Sequence, residues 1–237
     1  MPEVTTLIPP RMAALPRDKH HRPVPWFVAF VDGQPDHRLI GPGKIQKAVR
    51  GMRCWLCGQR LGPNLAFVIG PMCAVNRVSA EPPSHRDCAI YAARNCPFLT
   101  TPQMVRREGR KPVGYVEPAG VMIRRNPGVT LAWITRSFKP IGDAGGYLVE
   151  IGKPVNTLWF AEGREATRDE ILASINSGLP LLRAEAERDP DPAGALAELV
   201  QLHVAALRLL PVPDAPVRFR DEVPIHLCPR PDGKARP

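Results

Sequence analysis

The pattern of apolar and polar positions predicts strands in the front and middle of the chain and helices toward its end. Short apolar and aromatic runs occur at residues 25–31, at 65–70, and repeatedly between residues 121 and 160. Runs of this length, rich in β-branched and aromatic residues and bounded by Gly, Pro, Asn or Asp, are typical of strands. From Ala166 onward the apolar residues recur at helical spacing. The pattern therefore predicts an α+β protein.

The front of the chain predicts a hairpin followed by a short helix. Residues 25–31 (PWFVAFV) form the first strand, Asp32-Gly33 the turn, and residues 37–40 (HRLI) a returning strand. Residues 41–53 then place Ile45, Ala48 and Val49 on one helical side, with basic residues facing solvent. This helix leads directly into the first cysteine.

The middle of the chain predicts a small antiparallel meander. Residues 121–125 (VMIRR) precede a turn-like NPG, and three more strand-like runs follow up to residue 160. Trp133 and Trp159 are predicted core residues. The glycines of the KPIGDAGG segment fit neither a P-loop nor a dinucleotide-binding spacing, so they predict a hairpin loop.

Three helices are predicted after this sheet. Thr167 and Glu170 form a capping box for the first, and Gly178 is expected to end it. A second short helix follows, and the third covers residues 193–210. The third helix carries an apolar stripe that could be either a core face or a self-association surface. Its members are Leu196, Leu199, Val200, His203, Leu207 and Leu210.

The strongest chemical pattern is a pair of metal-ligand motifs. Cys54 and Cys57 are separated by two residues, and so are His85 and Cys88. Tetrahedral zinc takes four such ligands, and this spacing places two donors on one turn. Between the pairs, LAFVIG suits a strand of a short hairpin and AEPPSHRDCAIYAAR suits a helix capped by Ser84. We therefore expect a treble-clef-like zinc finger joined to a small antiparallel sheet with C-terminal helices, with Zn²⁺ in a structural role.

Two alternatives to this ligand set remain at the level of sequence. The four residues could be buried thiols beside a surface histidine, because free cysteine is often buried. Cys73 or Cys96 could also replace His85 as a ligand. A disulfide is disfavoured, because the N-terminal residues lack the apolar segment of a secretory signal and a cytoplasmic location is expected. No apolar stretch reaches the length needed to span a bilayer, so no membrane partner is expected.

Composition suggests short elements and long connectors. The chain has 237 residues and 29 prolines, about two and a half times the usual frequency. We expect an extended Pro-rich arm that includes a solvated His20-His21, a zinc-binding domain, a sheet with helices, a C-terminal helix and a Pro-rich tail. The expected boundaries are 1–25, 26–120, 121–190, 191–210 and 211–237.

The charge is unevenly distributed and suggests a nucleic-acid partner. Residues 1–126 carry nineteen Lys/Arg against eight Asp/Glu, while the whole chain has a net charge of +9. Cations on such a face would release counterions from a phosphate backbone, although a run of charges can also be a solvated face. The predicted contact residues are Arg77, Arg86, Arg94, Arg106, Arg107, Arg110 and Lys111.

Enzymatic activity is not the first expectation. A catalytic zinc keeps one coordination position open, whereas three thiolates and a histidine make a closed site. No catalytic residue is therefore assigned. The enzymatic alternative is a metal-independent RNase that uses His85, Arg86 and Asp87 beside a basic cleft.

Several motifs carry a family resemblance. The segments VPWFVAFVDGQPDHRLI, CWLCG, LAFVIGPMCAVNR, PPSHRDCAIYAARNCPFL, IRRNPGVTLAWITRSF and WFAEGREATRDEILASI resemble a group of uncharacterised proteins of tailed phages and proteobacterial prophages. The resemblance covers residues 23–187. It implies a phage or prophage protein that works inside a bacterial cell. Within that setting, a nucleic-acid-binding module, an adaptor on a host or phage protein, and an RNase toxin of a prophage-encoded defence system are the three function hypotheses.

Overall fold

The computed structural model describes residues 7–102, 104–105, 126–143 and 146–212. Its helices are α1 (Pro10–Ala13), α2 (Lys44–Arg50), α3 (Pro71–Asn76), α4 (Arg86–Asn95), α5 (Pro97–Thr100), α6 (Arg168–Ala186) and α7 (Pro192–Leu207). Its strands are β1 (Val28–Val31), β2 (Gln34–Ile40), β3 (Leu65–Ile69), β4 (Val78–Ser79), β5 (Thr130–Thr135), β6 (Phe138–Asp143), β7 (Gly146–Ile151), β8 (Pro154–Ala161) and β9 (Arg164–Glu165). The architecture is α+β, as the sequence predicts. None of the described helices is long and apolar enough to cross a membrane.

The front hairpin forms as predicted. Strands β1 and β2 pair antiparallel, with Val31 opposite Gln34. Asp32 and Gly33 join them, and both have positive φ angles of 50° and 75°. Two consecutive left-handed residues make the type I′ turn that Asp-Gly favours, because glycine has no Cβ to clash there. Helix α2 follows, and its Ala48 is buried.

Two antiparallel sheets replace the predicted single meander. One has the order β3-β5-β8-β9 and the other the order β4-β7-β6. The β6–β7 hairpin is not part of the first sheet. Its strand β7 pairs instead with β4, which comes from the front half of the chain. The meander prediction was wrong on this point, because the partner strand is distant in sequence. Gly142 and Gly146 of the KPIGDAGG segment lie at the paired ends of this hairpin, opposite Tyr147 and Asp143, while residues 121–125 fall outside the described part.

The pairing of β3 with β5 joins the front half to the middle of the chain. Phe67 of β3 lies opposite Trp133 of β5, and both side chains are buried. They belong to the main core, which also includes Trp159 and the inner faces of α6 and α7. The core positions of both tryptophans are confirmed. The expected domain boundary at residue 120 falls outside the described residues, and one sheet contains strands from both sides of it.

Helix α6 is longer than predicted. Its capping box is confirmed, since the Thr167 hydroxyl accepts from the Glu170 amide and the Glu170 carboxylate accepts from the Thr167 amide. Gly178 does not end the helix, which continues through Pro180 to Ala186. The prediction was wrong because Gly178 is buried within the helix, close to α3: a Cβ there would lie 2.7 Å from the Met72 sulfur.

Helix α7 packs on the main core with a face rotated from the predicted one. Leu199 and Leu202 contact the core, and Ala206 and Leu210 are buried in it. Val200, predicted in the apolar stripe, is 59% exposed. Part of the predicted stripe therefore faces the core, whereas Val200 faces solvent. Self-association through this helix stays a prediction.

The N-terminal arm is not simply extended. It contains the single helical turn α1, and Met12 from that turn is only 2% exposed. Met12 belongs to the same buried cluster as Cys54, Cys57 and Cys88. His21 lies in an exposed turn with a positive φ, consistent with its predicted solvation.

Candidate metal centre

The first two ligand candidates lie on a tight turn of residues 54–59, which we call the knuckle. The Cys54 carbonyl accepts a hydrogen bond from the Gly58 amide at 2.8 Å, and the Cys54 amide donates to the Gln59 carbonyl at 2.8 Å. Gly58 has a φ of +76°, and a Cβ there would lie 2.5 Å from the Trp26 ring. Only glycine satisfies both the left-handed conformation and this close contact. The local fold thus directs the Cys54 and Cys57 side chains to one side of the turn.

The second pair lies at the start of α4. His85 occupies the N-cap position, and Cys88 is the third residue of the helix. The Ser84 cap was wrongly predicted, because the Ser84 main chain instead exchanges two hydrogen bonds with Ala66 of β3, at 2.8 and 2.7 Å. Instead of the predicted short hairpin, β3 forms only this isolated antiparallel bridge with the segment before α4. The other edge of β3 pairs with β5, so the strand fixes the helix start relative to the sheet.

The four predicted ligands meet in one cluster. The donor atoms of Cys54, Cys57, His85 and Cys88 all lie within 4.8 Å of one another. All four residues are buried, with exposures of 0%, 7%, 8% and 0%. In tetrahedral zinc coordination two sulfur ligands are about 3.8 Å apart, so a small contraction would bring this cluster to ligand distances. Knuckle and helix start together form a zinc-finger-like site.

Hydrogen bonding orients the histidine ring for coordination. Nδ1 of His85 lies 3.3 Å from the Cys57 sulfur, and Nε2 lies 3.0 Å from the carbonyl oxygen of Arg60. Because a carbonyl only accepts, Nε2 must carry the proton and Nδ1 keeps its lone pair toward the cluster. A second partner of this kind is the usual companion of a metal-bound histidine.

The electrostatics of the cluster favour a bound cation. Hydrogen bonds from the Cys57 and Cys88 thiols lower the pKa of Cys54, and main-chain amides of Cys57 and His85 add to this. The hydrogen bond to Cys54 raises the pKa of Cys57 to about 11, and the bonds to Cys54 and Cys57 raise that of Cys88. The pKa of one thiol is thus lowered while the pKa values of its two neighbours are raised, because adjacent thiolates repel one another. Three thiolates become compatible once a dication compensates them.

The two alternative ligands lie outside the cluster. Cys73, in α3, packs at the edge of the main core, and burial raises its pKa to about 11. Cys96 follows the last residue of α4, at the opposite end from His85. Neither belongs to the group of metal-competent side chains among the described residues. Cys54, Cys57, Cys73, Cys88 and Cys96 form no disulfide with one another.

The predicted RNase residues are engaged in other contacts. Both ring nitrogens of His85 have partners within the centre. Asp87 pairs with Arg11 of the arm at 3.3 Å. Arg86 is exposed, and it forms no ion pair with another described residue. The arrangement therefore offers a metal site with no free general base at His85.

The predicted phosphate contacts divide into three groups. Arg86 is exposed, whereas the Arg77 guanidinium donates to the Ile151 carbonyl at 2.8 and 3.2 Å. Arg94 lies over the Phe160 ring, 5.4 Å from its centroid. The remaining predicted contacts lie outside the described residues, namely Arg106, Arg107, Arg110 and Lys111.

Some residues of the centre were not predicted. Arg60 contributes its main-chain carbonyl, which any residue could supply, and so its identity gives no sequence signal. Met12 also belongs to the buried cluster of the centre. It lies in a Pro-rich arm without a periodic apolar pattern, so its burial could not be predicted from the sequence. Comparison with protein-family models, with curated proteins and with solved structures gives no match for this chain.

Proposed function

We propose that this protein binds nucleic acid through a basic face that a structural Zn²⁺ helps to hold in shape. The main support for this proposal is the uneven distribution of charge among the described residues. Residues 7–102, which contain the metal centre, carry thirteen Lys/Arg against five Asp/Glu. Residues 126–212 carry eight against eleven. A phosphate backbone would be attracted to the first of these halves.

Zinc is the proposed metal because of the donor set. Three thiolates and one imidazole in a tetrahedral arrangement suit zinc, while carboxylate and carbonyl oxygens suit magnesium or calcium. Four protein ligands leave no coordination position for water, which favours a structural role over a catalytic one. The metal would link the knuckle to α4, two segments about thirty residues apart in sequence.

The proposed setting is a bacterial cell that carries a phage or prophage. Its support is the resemblance of residues 23–187 to phage and prophage proteins. A cytoplasmic location would also keep the cysteines reduced and available to zinc. An adaptor function on a host or phage protein stays an alternative, and the RNase alternative would need a base other than His85.

The proposal predicts salt-dependent binding. Purified zinc-loaded protein is titrated into labelled duplex DNA and single-stranded RNA at a series of salt concentrations, with anisotropy as the readout. We expect log K to fall linearly with log salt, with a slope of about −0.9 per phosphate neutralised on duplex DNA. Absence of binding at low salt, or binding that does not respond to salt, would contradict the proposal.

A further inference from the structure

Four exposed cations flank the metal knuckle along the chain. They are Lys47 and Arg50 on the solvent side of α2, Arg53 just before Cys54, and Arg60 just after the knuckle. None of them forms an ion pair with an acidic side chain in the part of the chain that the structure describes. We refer to Lys47, Arg50, Arg53 and Arg60 as the knuckle cations.

Two of the knuckle cations are held side by side. Arg53 and Arg60 are directly opposite each other in an antiparallel bridge. Residues paired in this way point their side chains to the same face, with Cβ atoms about 5 Å apart. Like charges in this arrangement repel, so the pair lowers stability unless an anion lies between them. Two guanidinium groups on one face are also suited to the oxygens of a phosphate diester.

The other two knuckle cations continue this charge along the helix. Lys47 and Arg50 are three residues apart in α2, so they lie on the same side of it. The Arg53 amide donates to the Ala48 carbonyl at 2.8 Å, which ties the helix end to the Arg53–Arg60 bridge. Gly51 and Met52 connect the two parts within one short turn. The four cations thus belong to one continuous piece of backbone.

The metal centre controls the geometry of the arginine pair. The segment between Arg53 and Arg60 contains the knuckle itself. The Arg60 carbonyl accepts from His85 Nε2 at 3.0 Å, and the Arg53 guanidinium donates to the Gly58 carbonyl at 3.1 Å. Both arginines are therefore connected by hydrogen bonds to the metal-binding residues or to the knuckle turn.

We infer that the knuckle cations are the phosphate-contacting site of this protein and that metal binding and nucleic-acid binding are coupled there. The inference rests on the proposed function and assigns it to residues. It moves the contact surface away from Arg77 and Arg94, which are engaged within the fold. By linkage, a metal that stabilises the knuckle strengthens phosphate binding, and bound nucleic acid strengthens metal retention by the same factor.

The test compares two double variants with equal loss of charge. R50A/R60A removes two knuckle cations whose side chains have no described hydrogen bond, and it keeps the Arg60 carbonyl. R136A/K139A removes two exposed cations from the acidic half of the molecule. The probes are a duplex DNA and a single-stranded RNA of about 20 nucleotides, longer than typical single-domain sites.

We expect R50A/R60A to bind the duplex at least about tenfold more weakly and to lower the salt slope by about 2. R136A/K139A should bind like the wild type. If the two variants lose affinity equally while the wild type binds well, the site is elsewhere and the proposed function survives. If the wild type binds neither probe, the proposed function and this inference both fail.

A chelator titration tests the coupling separately. Duplex DNA should raise the chelator concentration that extracts half of the zinc from the wild type, and R50A/R60A should show a smaller shift. No shift in the wild type would overturn the coupling, and an equal shift in both proteins would show that it does not act through the knuckle cations. Metal content of both variants before titration shows whether the centre is intact. Displacement of the duplex by inorganic phosphate at matched ionic strength would identify a site for free phosphate and would overturn the assignment to a polymer.

Discussion

At the scale of single residues, the centre depends as much on main-chain groups as on its ligands. Amides of Cys57 and His85 both point toward the Cys54 sulfur, at 3.4 Å. The Arg60 carbonyl fixes the tautomer of His85. These groups are supplied by the knuckle and by the start of α4, so the site is organised by backbone shape before any ion binds.

A ligand substitution should separate the metal centre from ordinary buried thiols. Cys88→Ser is expected to lose stoichiometric zinc and to lower the free energy of unfolding by ~3–5 kcal/mol, since structural metal binding is part of the folding free energy. Cys96→Ser is the matched control, because Cys96 lies outside the cluster. Elemental analysis and chemical denaturation of both variants provide the measurement. Full zinc content in the Cys88 variant would contradict the ligand assignment.

The capping box of α6 predicts a specific acid sensitivity. The hydrogen bond from Arg164 lowers the pKa of Glu170 from 4.5 to about 2, and the Thr167 amide contributes. Because the pKa is lower in the folded state, the carboxylate stabilises the fold above pH 4.5 and this contribution is lost as the pH falls toward about 2.

Glu170→Gln should therefore cost about 1 kcal/mol at neutral pH, a value reduced for solvent screening of this partly exposed pair. The difference in unfolding free energy between wild type and variant should shrink as the pH falls from 4.5 to about 2. Urea denaturation over this pH range measures it. A difference that stays constant would show that the charge of Glu170 does not matter.

At the scale of elements, α6 shows how packing can override a local sequence signal. Glycine within a helix is less favourable than alanine by about 1 kcal/mol, which is why Gly178 was expected to end the helix. In the structure Gly178 is buried against Met72 of α3. The lost helix propensity is offset by the close approach of the two helices.

Gly178→Ala should consequently destabilise the protein, although alanine favours helices. Its Cβ would lie 2.7 to 3.0 Å from three side-chain atoms of Met72, and we expect a net loss of about 1–2 kcal/mol. Asn176→Ala, on the exposed side of the same helix, should be neutral or slightly stabilising. Thermal denaturation of both variants compares them, and a more stable Gly178→Ala protein would show that the contact is loose.

At the scale of the whole molecule, the described residues form three buried apolar clusters. The main core is formed by side chains of β3, β5, β7 and β8 with α3, α6 and α7, and it contains none of the four ligands. The second cluster consists of the cysteines with Met12 and Leu56 beside them. The third cluster lies where α4 packs on the sheet, and it includes Ala66 of β3 with Ala89 and Ala93 of α4.

Metal removal should loosen the second cluster more than the main core. After chelation, we expect amide hydrogens of residues 7–61 to exchange faster, because Met12 and the knuckle lose the centre they pack on. Amides of β5, β8 and α6 should keep most of their protection. Hydrogen exchange with mass spectrometry measures both regions in one experiment. Equal loss of protection everywhere would mean that the protein unfolds as one unit when zinc is removed.

The elements that the sequence predicted well are those set by local chemistry. Asp32-Gly33 favours its own turn type, and Thr167 and Glu170 are spaced as a capping box that marks a helix start. Each ligand pair has the two-residue spacing typical of a zinc site. The strand pairs β3–β5 and β4–β7 were not predictable, because each joins segments about seventy residues apart and no local pattern records the partner. The end of α6 was missed for the same reason.

By itself the sequence determined the α+β class, two pairs of candidate metal ligands and the excess of positive charge in the front half. Only the tertiary structure decided that His85 rather than Cys73 or Cys96 completes the cluster, and which arginines remain exposed. Ligand identity and net charge are properties of residue types at short spacing. The proximity of the ligands and the exposure of the arginines depend on how distant segments pack. The β3-β5-β8-β9 sheet, which joins strands from both halves of the chain, is part of that packing.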